Sequence, residues 1–198
     1  DRLRGAEHTV MRDRLDAGLM MMASGITGGD VAVKGVEIGH LRIFEAKLNQ
    51  MGIQTRRDGE WMRVKGPEKL QPINVTTTYY PGFPTDLQPS IMALACVAYG
   101  DSYVRETVFE DRLGHVKNFR AFGARLSPEK DRLIIVHGPA RLKGARAKAL
   151  DIRAGGACVL AGLAAEGRTS LYNLYQLDRG HANLEGRLRN LGAELERI

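Results

Sequence analysis

The sequence predicts an α+β domain with pseudo-threefold symmetry, and two observations support this class. Three stretches repeat one order of elements: an Asp, an apolar helix, a Gly, a short strand, a second helix and another Gly before a strand. The three stretches open at Asp13, Asp86 and Asp151. Hairpins follow the second helices and no Gly-rich nucleotide loop follows a strand, which argues against a doubly wound parallel sheet.

The first unit spans about residues 9–72 and contains each predicted element. Apolar side chains recur at helical spacing over residues 15–23, and the alternating segment DVAVKGV then predicts a strand. A second apolar face over residues 41–51 predicts another helix, which Gly52 ends. An Asp-Gly dipeptide predicts a hairpin turn between IQTRR and EWMRV.

The second unit, about residues 73–140, and the third, about 141–198, repeat this order. In the second unit two apolar helices flank the predicted strand SYVRETVF, and a hairpin runs through SPEKD into RLIIV. The third unit has the predicted strand TSLYNLYQL, a second helix and a final strand, AELERI. It lacks the partner strand that closes the other two units, so we expect another segment to pair with its edge.

Composition limits the class of partner. The 198 residues carry a net charge of +6, and their Lys and Arg residues are interleaved with Asp and Glu, which favours small anionic ligands over nucleic acid. Cys96 and Cys158 lie in apolar runs without metal-ligand spacing, so both are expected to be buried thiols. With no signal peptide and no membrane span, we expect a cytoplasmic protein without a membrane partner.

Five segments resemble a known family of enzymes. They are GAEHTVMRDRLDAG, YPGFPTDLQP, ETVFEDRLGHV, DIRAGGACVLAGLAAEG and LDRG, and they span nearly the whole chain. Together they resemble the enolpyruvyl transferases that act on UDP-N-acetylglucosamine; the FPTDLQP run is quite specific, whereas DRG alone would carry nothing. The resemblance implies that residues 1–198 form one inside-out α/β barrel domain, with buried helices and outer sheets.

The resemblance also implies a second domain. In the family, substrates bind in the cleft between two domains, and a short N-terminal segment joins the domain seen here and would supply its missing strand. The other domain contributes a Lys-Asn pair and a mobile loop with a reactive Cys, neither of which is in this sequence. We therefore expect this chain to supply one half of the active-site cleft and to be inactive alone.

The implied reaction is the first committed step of peptidoglycan precursor synthesis, which serves the bacterial cell wall. The enolpyruvyl group of phosphoenolpyruvate is transferred to the 3-hydroxyl of UDP-N-acetylglucosamine, and phosphate is released. The resemblance implies no cofactor and no metal. The reaction needs a base for the hydroxyl, cations for a carboxylate and a phosphate, and a proton donor for the alkene carbon.

Two carboxylates match catalytic positions of the family. Asp86 matches the group proposed as the base for the sugar hydroxyl, and Asp151 matches a carboxylate near the reacting carbon and is expected to pair with Arg153. The residues alone favour a helix N-cap at Asp86, because Asp13 and Asp151 occupy equivalent repeat positions, whereas the resemblance favours the base. Both roles stay open at this point.

The remaining candidate residues match substrate contacts of the family. Arg112, Arg153 and Arg179 match arginines around phosphoenolpyruvate, whose anionic groups suit guanidinium forks. Thr85 and Val108 match positions that contact the UDP-sugar, with a backbone contact expected at Val108. The alternative for the arginines is that they are ordinary exposed residues at the ends of helices or strands.

Two further function classes stay open. One is a non-catalytic paralogue or lone domain that binds a nucleotide-sugar or another anion without turnover. Departures from the family pattern favour it, including Asp111 in place of Asn and QLDRGHA in place of HIDRGYE. The other is a nucleic-acid-binding module, which rests on net charge alone and has no aromatic stacking platform to support it.

Overall fold

The structure is a computed structural model that describes residues 3–198. Two short 3-10 helices cover Ile38–His40 and Thr85–Leu87. The α-helices are α1 (Arg14–Thr27), α2 (Arg42–Gln50), α3 (Gln88–Val97), α4 (Val116–Ala121), α5 (Ile152–Ala164), α6 (Tyr175–Asp178) and α7 (Leu184–Asn190). The strands are β1 (Asp30–Lys34), β2 (Gln54–Asp58), β3 (Trp61–Lys65), β4 (Asn74–Thr76), β5 (Asp101–Arg105), β6 (Arg125–Glu129), β7 (Leu133–His137), β8 (Arg146–Lys148) and β9 (Ser170–Tyr172).

The strands form three separate sheets within the described residues. The first has the order β1-β3-β2 and is antiparallel throughout. The second has the order β4-β5-β7-β6, in which β4 and β5 are parallel and the other pairs are antiparallel. The third contains the parallel pair β8 and β9. The chain mixes helices with strands that pair mostly antiparallel, in agreement with the predicted α+β class.

Helices α1, α3 and α5 pack together in the core, and small residues let them approach closely. A methyl group on Gly18 of α1 would lie 3.0 Å from Leu87, and one on Gly25 would lie 3.5 Å from Leu94 of α3. The earlier glycine faces the earlier leucine and the later glycine faces the later leucine, so α1 and α3 run parallel. Gly156, in the second turn of α5, similarly approaches Leu19 in the second turn of α1. The N-terminal ends of the three helices therefore lie at one end of the core.

The second helices confirm the pattern read from the sequence. In α2, the predicted apolar face is buried, with Phe44 and Leu48 fully inaccessible to solvent. The glycines that follow α2, α4 and α7, which are Gly52, Gly123 and Gly192, all have positive φ. Glycine adopts this conformation without steric cost, which explains why the helices end there.

Two predicted strands are shorter than expected. The segment SYVRETVF forms a strand only as far as Arg105, because Glu106 turns back to accept the backbone N–H of Val108. The segment TSLYNLYQL forms β9 only as far as Tyr172. Asn173 has a φ of 63° and donates its side-chain amide to the carbonyl of Ala149, and α6 begins two residues later.

The second hairpin forms as predicted, whereas the predicted last strand needs correction. The hairpin runs through SPEKD, with Pro128 inside β6 and the turn after Glu129 at residues 130–132. Pro is tolerated there because β6 lies at the edge of its sheet. Residues 193–198, which were predicted as a strand, form none in the structure. A strand needs a hydrogen-bonded neighbouring strand, and no described strand pairs with this segment.

The two cysteines are buried thiols, as predicted. Cys96 and Cys158 are free, and burial raises the pKa of each thiol to about 12. They are therefore protonated and unreactive at neutral pH. None of the helices in the described part of the chain combines the length and apolar character needed to cross a membrane.

Candidate active site

Four charged side chains meet where α3 and α5 begin. Asp86 Oδ1 accepts a hydrogen bond from Arg112 Nη1 at 2.8 Å and lies 3.8 Å from Arg153 Nε. Arg153 Nη2 also donates to Asp151 Oδ2 at 2.8 Å. The result is an alternating chain of two carboxylates and two guanidinium groups. We call these four residues the Asp86 cluster.

Asp86 differs from the other two aspartates that open the repeats. Asp13 accepts the backbone N–H of Leu15 at 2.7 Å, and Asp151 accepts that of Ala154 at 2.8 Å, so both are N-caps. Asp86 lies inside the short 3-10 helix instead, and α3 begins after it without a side-chain cap. The interpretation of Asp86 as an N-cap is therefore wrong.

The free side of Asp86 faces solvent. Its side chain is 41% exposed, and its second carboxylate oxygen accepts no hydrogen bond from any residue that the structure describes. Pro89, in the first turn of α3, has no N–H to be capped, which reduces the need for a capping side chain. Asp86 is thus a carboxylate held by arginines with one oxygen open to a ligand.

Asp151 has both oxygens engaged. One caps α5 and the other accepts from Arg153, which confirms the pairing expected from the sequence. Burial opposes the charge on Asp151, but the N–H of Ala154 and the charge of Arg153 outweigh it and lower the pKa of the carboxyl. Asp151 is therefore an anion that fixes the position of Arg153.

The three predicted arginines differ in their surroundings. Arg153 has a side chain only 10% exposed, and its Nη1 is buried without a hydrogen-bond partner among the described residues. The guanidinium of Arg112 stacks on the ring of Phe109, with its central carbon 3.7 Å from the ring centroid. This contact and the bond to Asp86 hold Arg112 in one orientation.

Arg179 is the most exposed of the three. It ends α6 and donates to Gln176 at 3.3 Å, and it forms no ion pair with any residue from 3 to 198. A side chain on the next residue, Gly180, would collide with Ile152, the residue before Arg153. The structure therefore places the backbone of Arg179 close to the start of α5.

Thr85 and Val108 are brought together by a residue that the sequence interpretation missed. Glu106 is fully buried and accepts four hydrogen bonds, from the hydroxyls of Thr77 and Thr85 and the backbone N–H groups of Val108 and Phe109. We call this arrangement the Glu106 clamp. Strand alternation is the signal that could have found it, because Glu106 follows the buried Ser102 and Val104 at period two.

The backbone contact expected at Val108 is partly precluded. Its N–H is already donated to Glu106 at 2.8 Å, so this group is not free for a ligand. Its carbonyl accepts no hydrogen bond from the described residues and remains available. Val108 can therefore contact a ligand as an acceptor but not as a backbone donor.

A second charged cluster anchors the segment that follows Arg179. His181 Nδ1 lies 2.7 Å from Asp16 in the first turn of α1, and Arg187 forms two hydrogen bonds to the same carboxylate. Burial opposes the charge on Asp16, but the bonds from Arg187 and His181 hold the pKa of its carboxyl well below its usual value. These contacts tie Arg179's segment to α1, and the sequence did not indicate them.

His115 and Arg14 both have contacts within the protein near the helix starts. His115 is buried at the start of α4 and makes no side-chain cap bond; burial and the nearby charge of Arg153 lower its pKa to about 4. Arg14 lies over the ring of Tyr80 and donates to a carbonyl at 3.5 Å.

The site as a whole can bind an anion with several charged groups. The N-terminal ends of α1 and α5, and the 3-10 turn before α3, point partial positive charge at one end of the core. Arg112, Arg153 and Arg179 add full charges there, and Asp86 has one open oxygen. The arrangement suits a reaction between an anionic substrate and a hydroxyl that loses a proton.

Comparison with known proteins shows the family. The family model for EPSP synthase (3-phosphoshikimate 1-carboxyvinyltransferase) matches residues 1–188, and the chain belongs to this family of carboxyvinyl (enolpyruvyl) transferases. Curated relatives named UDP-N-acetylglucosamine 1-carboxyvinyltransferase confirm the resemblance found in the sequence. The relative from Halalkalibacterium halodurans is 47% identical over 100% of this chain, and that from Thermobifida fusca is 44% identical over 98%.

Solved structures agree. The enolpyruvyl transferase NikO from Streptomyces tendae matches 94% of this chain with a TM-score of 0.82 and 28% identity. EPSP synthase from Acinetobacter baumannii matches 96% with a TM-score of 0.72, and at 18% identity this likeness concerns the fold alone. The chain spans about half the length of these proteins, covering 45% of the Halalkalibacterium relative and 44% of NikO.

Proposed function

We propose that the whole protein transfers the enolpyruvyl group of phosphoenolpyruvate to the 3-hydroxyl of UDP-N-acetylglucosamine and releases phosphate. This chain supplies one side of the active-site cleft. A second domain of the same protein supplies the other side, with the Lys-Asn pair and the Cys-bearing loop of the family. The reaction is the first committed step of peptidoglycan precursor synthesis and takes place in the cytoplasm.

The proposal includes the architecture of this domain. Residues 1–198 form one pseudo-threefold inside-out barrel, with units at about 9–72, 73–140 and 141–198. The central packing of α1, α3 and α5 and the three separate sheets support it. The open edge of β9 is where a strand from elsewhere in the protein completes the third sheet, as β7 does beside β5.

Each candidate residue takes one role in the proposal. Asp86 is the base for the sugar hydroxyl, and Asp151 lies near the reacting carbon and orients Arg153. Arg112, Arg153 and Arg179 bind the carboxylate and phosphate of phosphoenolpyruvate. Thr85 and the carbonyl of Val108 contact the UDP-sugar. Two of these seven residues are thus catalytic, Asp86 and Asp151. The other five bind substrate: Thr85, Val108, Arg112, Arg153 and Arg179.

The chemistry balances as an addition followed by an elimination. The sugar 3-oxygen bonds to C2 of phosphoenolpyruvate while Asp86 takes the hydroxyl proton and a donor protonates C3. In the second step C3 loses a proton, the C2–C3 double bond forms again, and the phosphate leaves from C2. The arginines stabilise the substrate's anionic groups in both steps, so no cofactor is required.

The observation that carries the proposal is the open carboxylate of Asp86. An aspartate that only caps a helix directs its oxygens at backbone N–H groups, as Asp13 does. Asp86 instead directs one oxygen at Arg112 and leaves the other for a ligand. The names of the relatives give UDP-N-acetylglucosamine, which bears hydroxyl groups, and a carboxyvinyl group that is transferred, and both fit this arrangement.

A phosphate-release assay tests the proposal. The whole protein, mixed with phosphoenolpyruvate and UDP-N-acetylglucosamine, should release phosphate and form the enolpyruvyl ether, and the 198-residue chain alone should not. Binding of UDP-N-acetylglucosamine by the whole protein without turnover would instead support the non-catalytic alternative. Robust turnover by this chain alone would contradict the assignment of half the cleft to a second domain.

A further inference from the structure

The hydroxyl of Thr85 has a fixed direction in the Glu106 clamp. Thr85 Oγ1 lies 2.7 Å from Glu106 Oε2. An ionised carboxylate only accepts hydrogen bonds, so the proton of this bond belongs to Thr85. The hydroxyl has one proton and two lone pairs, and its lone pairs are therefore what it can offer to another group.

The rest of the clamp keeps Glu106 ionised. Burial opposes its charge, yet the hydroxyls of Thr85 and Thr77 and the N–H groups of Val108 and Phe109 all donate to it. Together they lower the pKa of the Glu106 carboxyl below its ordinary value, so the group is an anion at neutral pH.

Thr77 shows the same polarity within the protein. Its hydroxyl donates to Glu106 Oε1 at 2.8 Å and accepts the backbone N–H of Thr107 at 2.9 Å. The Thr77 hydroxyl thus donates its hydrogen bond to the carboxylate, and a lone pair of its oxygen accepts a hydrogen bond from a donor. Thr85 is held in the same way, but it is only half-buried and precedes the exposed Asp86. Its acceptor side is available to a ligand.

We propose that Glu106 is a specificity-determining residue that makes the Thr85 hydroxyl a hydrogen-bond acceptor toward the bound ligand. The group that meets Thr85 must then be a donor, such as a hydroxyl or the acetamide N–H of the sugar. This inference rests on the proposed function, because it takes the UDP-sugar as the ligand beside Thr85. Glu106 acts through Thr85 and does not touch the ligand.

Glu106→Gln in the whole protein tests the inference. The glutamine oxygen can still accept from Thr77, Val108 and Phe109, while its amide donates to Thr85 and turns the Thr85 proton outward. We expect the Kd for UDP-N-acetylglucosamine, measured by isothermal titration calorimetry, to rise about tenfold, because an acceptor facing the ligand's donor has become a donor. Thr85→Val should raise the Kd by about the same factor.

The double variant shows whether Glu106 affects binding through Thr85. Adding Glu106→Gln to Thr85→Val should weaken binding no further than Thr85→Val does, because no hydroxyl remains to be turned. Ser102→Ala is the matched control, since its buried hydroxyl lies on β5, the strand that Glu106 follows, and accepts the N–H of Ile73 at 3.0 Å. It should lower the melting temperature and leave the Kd unchanged.

Three results would overturn the inference. They are an unchanged Kd in Glu106→Gln, an unchanged Kd in Thr85→Val, and a roughly hundredfold loss in the double variant. The second result decides the question even if Glu106→Gln does not fold. If the variants show the expected Kd values but the wild-type protein does not transfer the enolpyruvyl group, the proposed function is refuted and this inference is kept. If the wild-type protein is active but the variants have unchanged Kd values, this inference is refuted and the proposed function is kept.

Discussion

Replacing each of the three repeat-opening aspartates by Ala separates a catalytic carboxylate from a structural one. Asp13 serves only as a cap, so Asp13→Ala should cost about 0.5–2 kcal/mol of unfolding free energy. For a domain of this size that corresponds to a melting temperature lower by roughly 1–8 °C. The turnover rate per folded molecule should stay nearly unchanged.

Asp86→Ala should give the opposite result. Asp86 makes no cap bond, and its bond to Arg112 involves a partly exposed carboxylate, so we expect a stability loss of about 1 kcal/mol or less. If Asp86 is the base, kcat should fall roughly 10²–10⁴-fold, with a much smaller change in UDP-sugar affinity. Asp151→Ala should affect both properties, because Asp151 caps α5 and also pairs with Arg153.

Calorimetric melts and steady-state phosphate release, measured on the same samples of the whole protein, provide the comparison. Asp13→Ala is the control for a lost cap. If Asp86→Ala melts at a lower temperature, as Asp13→Ala does, and keeps its rate per folded molecule, then Asp86 is structural and the base assignment is wrong. A large loss of turnover in Asp13→Ala would equally contradict the reasoning.

Three other changes have expected outcomes. Arg179→Ala should raise the KM for phosphoenolpyruvate about 10–100-fold and leave that for the UDP-sugar nearly unchanged, since a charged contact to an anion is lost; an unchanged phosphoenolpyruvate KM in steady-state kinetics would exclude that contact. Because the fold lowers the pKa of Asp16, the ionised carboxylate stabilises the fold at pH values above its ordinary pKa of 3.8. Asp16→Asn should therefore unfold at a lower urea concentration than the wild type at pH 7, and the gap between the two urea midpoints should shrink as the pH falls below 3.8. His115 takes up a proton more readily in the unfolded chain, because its pKa is about 4 in the fold and 6.5 ordinarily. The unfolding free energy of the wild type should therefore fall by on the order of 3 kcal/mol between pH 7 and pH 4, and His115→Asn should remove most of this fall. An equal fall in both proteins would contradict the burial of a neutral imidazole.

The helices could be predicted from the sequence, because their signals are local. Apolar spacing fixed the buried face of α2, and a glycine with positive φ ends each second helix, for example Gly52. Strand ends were harder to predict because they depend on side chains that reach distant or folded-back partners. Glu106 ends β5 by accepting N–H groups two and three residues later, and Asn173 ends β9 by donating to Ala149.

The sequence suggested candidate residues for the site but could not show how they contact one another. Sequence position could not show that Asp86 lies one 3-10 turn before its helix, because this depends on backbone conformation over Thr85–Leu87. The contacts of Asp16 with His181 and Arg187 join residues at opposite ends of the chain, and no local pattern indicates such pairs. Strand alternation places Glu106 at a buried position, but glutamate is usually exposed, so the pattern alone did not indicate its role.

The difference among the three aspartates also bears on how such a site can arise. In a ring of three identical units, no aspartate could leave its capping role without the loss of all three caps at once. Divergent copies remove that constraint: Asp13 and Asp151 keep the scaffold intact, while a 3-10 turn and Pro89 make the cap dispensable at Asp86. A carboxylate at the middle position can therefore serve a ligand while the caps of α1 and α5 stay in place.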